Sequence, residues 1–312
     1  MIRQCLIVTT RHLNYMFRKF SKRNRPILIL VVLSIFFVYI FSNKILAYKT
    51  HNQQMLKETQ NVFNEIHKKG KSPAILLIHG FGGSPVDVKP LADILEKSGY
   101  TFKAILLPGH GTSPKDLKNI KMNEWLNKSL LEFDKLRQNY EEVYVVGFSM
   151  GGAISLILAT ERHVSKLVLI CPYFKVKERW YYFGKPETWA KRVSFILPYV
   201  KKPKIGQINN PEGLQKYTAY ESLPTKTISE LAKLGHIAAE KAKQVKSDIL
   251  WIHSRGDNVA DFKLSMDVFQ LTQSKNKYFI EYNQSNHIIL YDYDSEDTIK
   301  KIMAFIEGDY NE

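Results

Sequence analysis

Cysteine is nearly absent from this chain: 312 residues contain two, Cys5 and Cys171. They have no metal-ligand spacing, which excludes a cysteine zinc site. One lies in a basic tail and the other ends an apolar run, which argues against a disulfide; Cys171 reads as a small buried hydrophobe. Acidic residues are missing from positions 1–25, which hold Arg3, Arg11, Arg18, Lys19, Lys22, Arg23 and Arg25. That tail therefore carries seven of the fifteen net positive charges, and the other eight are spread over a remainder that holds all 30 Asp and Glu. No basic stripe interleaved with aromatics exists, so the charge implies no nucleic-acid partner.

Charge of either sign is missing from Pro26 to Phe41. With its flanks, this run is long enough to cross a bilayer if Lys44 snorkels. A cleaved signal peptide would have a shorter basic region and a small-x-small site, whereas Ile45-Leu46-Ala47 has a bulky residue where a small one is needed. The expectation is an uncleaved, single-pass anchor over 26–48. The basic tail, 1–25, should be cytoplasmic and the rest extracytoplasmic. Residues 49–73 are polar and read as a stalk, which leaves 74–312 as one folded domain.

Within that domain the chain alternates. Near-continuous apolar runs at Ala74–His79, Phe102–Leu107, Val143–Gly147, Leu167–Cys171, Ile249–His253 and Tyr278–Tyr282 suit strands buried on both faces of a mostly parallel sheet of about six strands. Helical spacing occupies Ser84–Ser98, Asn123–Gln138 and Asp297–Glu307, with Pro90 expected to kink the first or mark its true start. The fold class is α/β, with helices on both faces. Residues 172–246 have no strong strand but many aromatics, among them Trp180, Trp189, Tyr217 and Tyr220. They read as a helical cap inserted over the site.

What stands out is Gly147-Phe148-Ser149-Met150-Gly151, preceded by an apolar strand and followed by an apolar helix pattern. Gly-x-Ser-x-Gly in that context is a turn that exposes a nucleophilic serine above the sheet. A serine hydroxyl needs a base and an oxyanion site. The oxyanion donors should be the backbone N–H of Met150 and one from the loop His79-Gly80-Phe81-Gly82-Gly83, where Phe81 is the candidate. His287, on the loop after the last strand candidate, is the base candidate. His79 and His110 read as loop-ordering residues, His163 lies on the wrong side of the sheet, and His253 merely ends a strand. The acid candidate is Asp257, in the loop after Ile249–His253, with Asp261 its nearest rival.

Together these residues resemble the α/β-hydrolase superfamily, and within it the bacterial carboxylesterase and monoacylglycerol lipase group. The matching segments are Leu76–Gly83, Leu107–Pro114, Gly147–Gly152, Gly256-Asp257 and Ser285-Asn286-His287. The resemblance implies a Ser149, Asp257, His287 triad and hydrolysis of carboxylic esters through an acyl-serine, with no cofactor; the absence of metal-ligand spacing leaves no metal expected either. Two strands that many members carry ahead of the first have no candidates here, and a membrane anchor is not usual in the group. The expected substrate is a small ester or lipid, monoacylglycerol-like or lysolipid-like, drawn from the bilayer. A peptidase, thioesterase or acyltransferase on the same fold, or an inactive membrane-anchored interaction module, are the competing readings.

Overall fold

The computed structural model describes residues 27, 30–39, 41–43, 45, 46, 64–177, 194, 197–202 and 206–310. Two units, residues 1–45 and 46–312, are taken separately. In the first, residues 30–39 are helical, and Leu30, Leu33, Phe37 and Val38 are exposed. Among the described residues no helix is long and apolar enough to cross a membrane. The tail, 1–25, most of the stalk and part of the 26–48 run lie outside the described residues.

The second unit is built on a sheet whose strands divide their side chains between two cores. In β2 (Lys71–Ile78), Ala74, Leu76 and Ile78 join one core while Ile75 and Leu77 join the other. The same alternation splits Val143 and Val145 from Tyr144 and Val146 in β4 (Val143–Phe148). It recurs in β5 (Lys166–Ile170) and β8 (Asp248–Ser254). Period-two side-chain alternation in a strand apolar at every position requires cover on both faces. Helix α1 (Lys89–Lys97) and the C-terminal helix supply it on one side. On the other, α3 (Met122–Arg137) and α4 (Met150–Glu161) do so, after the single turn α2 (Pro114–Leu117). Each fully buried Leu, Ile or Phe contributes roughly 1.5–3 kcal/mol, which makes these two layers the main source of stability. Pro90 sits in the first turn of α1, directly after a 3-10 turn, Pro85–Val88, capped by Ser84. It therefore marks the helix start and does not kink it.

Among the described residues the main sheet has seven strands where about six were expected. With β9 at Lys277–Tyr282, the order is β1-β3-β2-β4-β5-β8-β9, parallel throughout except that β1 (Ile66–Lys68) runs antiparallel to β3 (Tyr100–Ile105). The extra strand lies in the stretch read as a stalk. It is three residues long, and only Ile66 is half-buried while His67 and Lys68 face solvent. So short and charged an edge strand leaves no periodic signal, and its charge discourages edge-to-edge pairing.

The insertion also differs from a purely helical cap over 172–246. Its described residues include an antiparallel ribbon, β6 (Tyr199–Lys201) with β7 (Ser222–Pro224), and a short helix, α5 (Pro211–Lys216). Its last helix, α6 (Thr225–Lys241), is not cap at all. Leu231, Leu234 and Ala238 of α6 enter the same core as α4, which makes α6 the crossover helix that returns the chain to β8. Trp180, Tyr181, Tyr182, Phe183, Trp189 and Phe195 lie outside the described residues. The chain then closes with α7 (Phe262–Leu271), β9 (Lys277–Tyr282) and α8 (Ser295–Glu307). The architecture is the α/β-hydrolase fold, with the loops after β2, β4, β8 and β9 gathered at one end of the sheet.

Candidate active site

Ser149 sits between β4 and α4 at φ 53°, ψ −115°, a strained conformation for a residue with a side chain. The turn is held from below. Its N–H donates to Ile170 O at 2.9 Å, and its carbonyl accepts from Gly152 and Tyr173 N–H at 2.9 and 3.0 Å. The flanking glycines are steric necessities. A Cβ on Gly151 would lie 2.1 Å from the Ile78 carbonyl oxygen, and one on Gly147 would lie 2.4 Å from that of Gly151. Such contacts would push the helix off the sheet.

Three loops meet at the serine. Ser149 Oγ lies 2.9 Å from His287 Nε2, and His287 Nδ1 lies 2.7 Å from Asp257 Oδ2. All three residues are buried. Asp257 is anchored by its other oxygen, Oδ1, which accepts the N–H of Val259 at 2.7 Å and of Ala260 at 2.9 Å. Burial alone would raise the pKa of this carboxyl. The two imidazoles beside it, His287 and His253, outweigh burial and hold it well below the usual carboxylate range. Asn286 ties the acid loop to the base loop, since its Oδ1 accepts from both Asn258 N–H and His287 N–H. Asp261, the rival acid, is spent elsewhere: it caps α7 and accepts from Leu264 N–H at 2.9 Å.

The loop after β2 faces the serine from the other side. Among the described residues, neither the Phe81 nor the Met150 amide has a backbone or side-chain acceptor. The loop is fixed by Asp87, whose Oδ2 accepts Gly80 N–H at 2.9 Å and whose Oδ1 accepts the Tyr217 hydroxyl at 2.9 Å. Burial pushes the Asp87 carboxyl up to about 6, against the opposing pull of Lys202, the Gly80 amide and Tyr217. Lys202 Nζ donates to the Phe81 carbonyl at 3.3 Å, and burial lowers the pKa of its ammonium. His79 accepts Leu107 N–H on Nε2 at 3.1 Å, so its Nδ1 carries the proton given to Gly80 O at 2.8 Å. Burial drops its pKa to about 4, which keeps it neutral in this ordering role. A cavity of about 500 Å³ opens above Ser149 and His287, with Phe81, Tyr173, Leu223 and Leu231 in its wall.

Sequence reasoning passed over several of these residues. Asp87, Tyr217 and Lys202 are far apart in the chain and converge only through the insertion. Tyr217 was legible as an aromatic of the cap but not as the donor to Asp87. His253, read as the end of a strand, lies with Nε2 3.1 Å from Asp257 Oδ2. Cys171 is buried, as its place at the end of an apolar run suggested, and its sulfur lies within 4.8 Å of a carboxylate oxygen of Asp257 and a ring nitrogen of His287.

Comparison with known proteins agrees with this architecture. The family model Hydrolase_4, described as serine aminopeptidase, S33, matches residues 70–294. A thermostable monoacylglycerol lipase from Bacillus sp. (strain H-257) is 29% identical over 232 residues, covering 74% of this chain and 89% of that protein. A carboxylesterase from Bacillus subtilis (strain 168) is 25% identical over 242 residues, covering 77% and 94%. Among solved structures, a metagenome-derived lipolytic enzyme superposes with a TM-score of 0.72 at 24% identity, covering 78% of this chain and 97% of that one.

Proposed function

This chain belongs to the Hydrolase_4 family, serine aminopeptidase S33, and on that footing we propose that it hydrolyses carboxylic esters of the monoacylglycerol or lysolipid kind through an acyl-serine. The observation that carries this reading is the unbroken line Ser149, His287, Asp257 at the floor of an apolar-walled cavity. The resemblance to a monoacylglycerol lipase and a carboxylesterase over nearly their whole length supports the ester class.

The steps follow from the geometry. His287 Nε2 takes the proton of Ser149 Oγ as the oxygen attacks the ester carbonyl. The oxyanion forms beside the free N–H groups of Phe81 and Met150, which need not reorganise to receive it. His287 then delivers the proton to the leaving alcohol, and the Ser149–acyl bond forms as the ester bond breaks. Water, deprotonated by the same nitrogen, attacks the acyl carbonyl; the acid departs and Ser149 regains its proton. Asp257 keeps the His287 proton on Nδ1 and stabilises the imidazolium.

Residues 26–48 are proposed as a single-pass anchor, with the basic tail cytoplasmic and the hydrolase domain on the far side. Support comes from the uncharged run and the seven basic residues ahead of it. Placement at a bilayer suits an ester delivered from lipid.

A fluorophosphonate probe on the full chain tests the nucleophile. Wild type should be labelled and Ser149→Ala should not; labelling that survives the substitution overturns the assignment. A p-nitrophenyl ester series of increasing chain length, set against aminoacyl amides and acyl thioesters, tests the substrate class. Faster turnover of an amide than of any ester would replace an esterase with a peptidase.

A further inference from the structure

His253, the penultimate residue of β8, has no exposed surface and lies outside the triad. Its hydrogen bonds have a direction that can be read off. The Trp251 indole N–H can only donate, and it reaches Ser265 Oγ at 2.9 Å. Ser265 Oγ, on α7, lies 2.7 Å from His253 Nδ1 and so can give that nitrogen its own proton. His253 Nε2, 3.1 Å from Asp257 Oδ2, must carry a proton, because a bare lone pair there would face a carboxylate. The same Oδ2 accepts from His287 Nδ1 at 2.7 Å. One carboxylate oxygen therefore receives two imidazole N–H groups.

We propose that His253 is a positioning residue that divides the charge of Asp257 between two imidazoles and thereby limits how tightly the acid holds the proton of His287. The base needs this balance. If Asp257 gave all of Oδ2 to His287, the imidazolium would be overstabilised, and both the first proton transfer at low pH and the release of that proton to the leaving alcohol would be affected. Trp251 and Ser265 keep the device in register, since they set the His253 tautomer from the side away from the site. The inference rests on the triad reading above.

Among the described residues, the other charged and titratable groups around His253 and Asp257 are these. The Phe262 ring stands edge-on to His253 at 5.5 Å, with the exposed Arg255 guanidinium on that ring and paired to Glu281. The Lys177 ammonium lies on the Asp257 backbone carbonyl at 2.7 Å. Burial raises the Cys171 thiol and keeps it neutral. Asp87 and Lys202 act on the site from across the cavity.

The test uses the full chain and the pH dependence of kcat/KM on a p-nitrophenyl ester. In His253→Leu the acidic limb should move to higher pH by about half a unit to one unit, because Asp257 then pulls on His287 alone. In His253→Gln an amide N–H can replace Nε2–H and an amide oxygen can accept from Ser265, so the limb should return toward its wild-type position. A purely structural role would lower kcat in both without moving the limb, and that result overturns the proposal. Should His253→Leu fail to fold, ¹⁵N-histidine NMR of the wild type decides. A proton on Nε2 of His253 with a bare Nδ1 sustains the proposal, and the opposite tautomer overturns it. If Ser149→Ala keeps its activity, the triad reading has failed; if it loses activity while the limb stays fixed in His253→Leu, only this inference has.

Discussion

Two buried carboxylates flank Ser149, and they answer burial in opposite ways. Asp257 is 0% exposed and Asp87 1%. Both lose hydration, which favours the protonated form. Asp257 accepts two backbone N–H groups and two imidazoles, enough to hold it ionised well below its ordinary range. Asp87 accepts one backbone N–H and one phenol, and its nearby cation, Lys202, donates to the Phe81 carbonyl. Burial prevails there, and its pKa rises to about 6. The number and charge of the donors, not the depth of the site, separates a carboxylate held ionised from one that burial pushes toward protonation.

The comparison breaks most easily at Asp257. Asp257→Asn should lower kcat about 10⁴-fold with the fold intact, because an amide can impose the wrong tautomer on His287. Burst and steady-state kinetics on a p-nitrophenyl ester would measure it; a loss under tenfold would shift the acid role elsewhere. Asp87→Ala should lower kcat/KM by less, at most about 10²-fold, because it frees the Gly80 anchor and lets the Phe81 amide drift from the oxyanion without removing it. Activity equal to wild type would show that Lys202 and Tyr220, which bond the Phe81 and Gly82 carbonyls, hold the loop alone.

Stability against pH sharpens the contrast further. Asp87 has a raised folded pKa, so its contribution is fully present below the unfolded value of about 3.8 and is lost as pH rises through about 6. Asp257 has a lowered one, so its contribution is present above the ordinary carboxylate range and lost as pH falls below it. Of the two carboxylates, only Asp87 should change its contribution much as pH falls from 7 to 4. Urea unfolding followed by tryptophan fluorescence should show wild type gaining about 2 kcal/mol relative to Asp87→Asn over that range. A flat difference would mean that Asp87 titrates normally. The smallest effect belongs to Asp261→Asn. Asparagine keeps the cap on α7, so stability should change by less than about 0.5 kcal/mol and kcat by no more than about twofold.

Much of this site was legible in advance for local reasons. Gly147 is demanded by the first turns of the helix that follows it, and Ser149 takes its address from that turn, whereas the clash that demands Gly151 is with the end of the neighbouring strand β2. The apolar strands announced a sheet covered on both faces because each alternates between two cores. Elsewhere the signal was weak or absent. β1 is too short to show a period, and α6 reads as part of the insertion until its contact with α4 is seen.

The amino-acid sequence by itself determined the fold class, the nucleophile turn and the loops from which a base and an acid could come. These follow from residue size, backbone freedom and apolar spacing within a few residues of each other. Tertiary structure decided the rest: that Asp257 rather than Asp261 meets His287 across 30 residues, that His287 meets Ser149 across 138, and that Asp87 bonds Tyr217 across 130. It also set two imidazoles on one carboxylate and left the other carboxylate with fewer donors. The physical reason is that a carboxyl's charge state depends on the donors packed around it, and those donors come from strands and loops that only folding brings together.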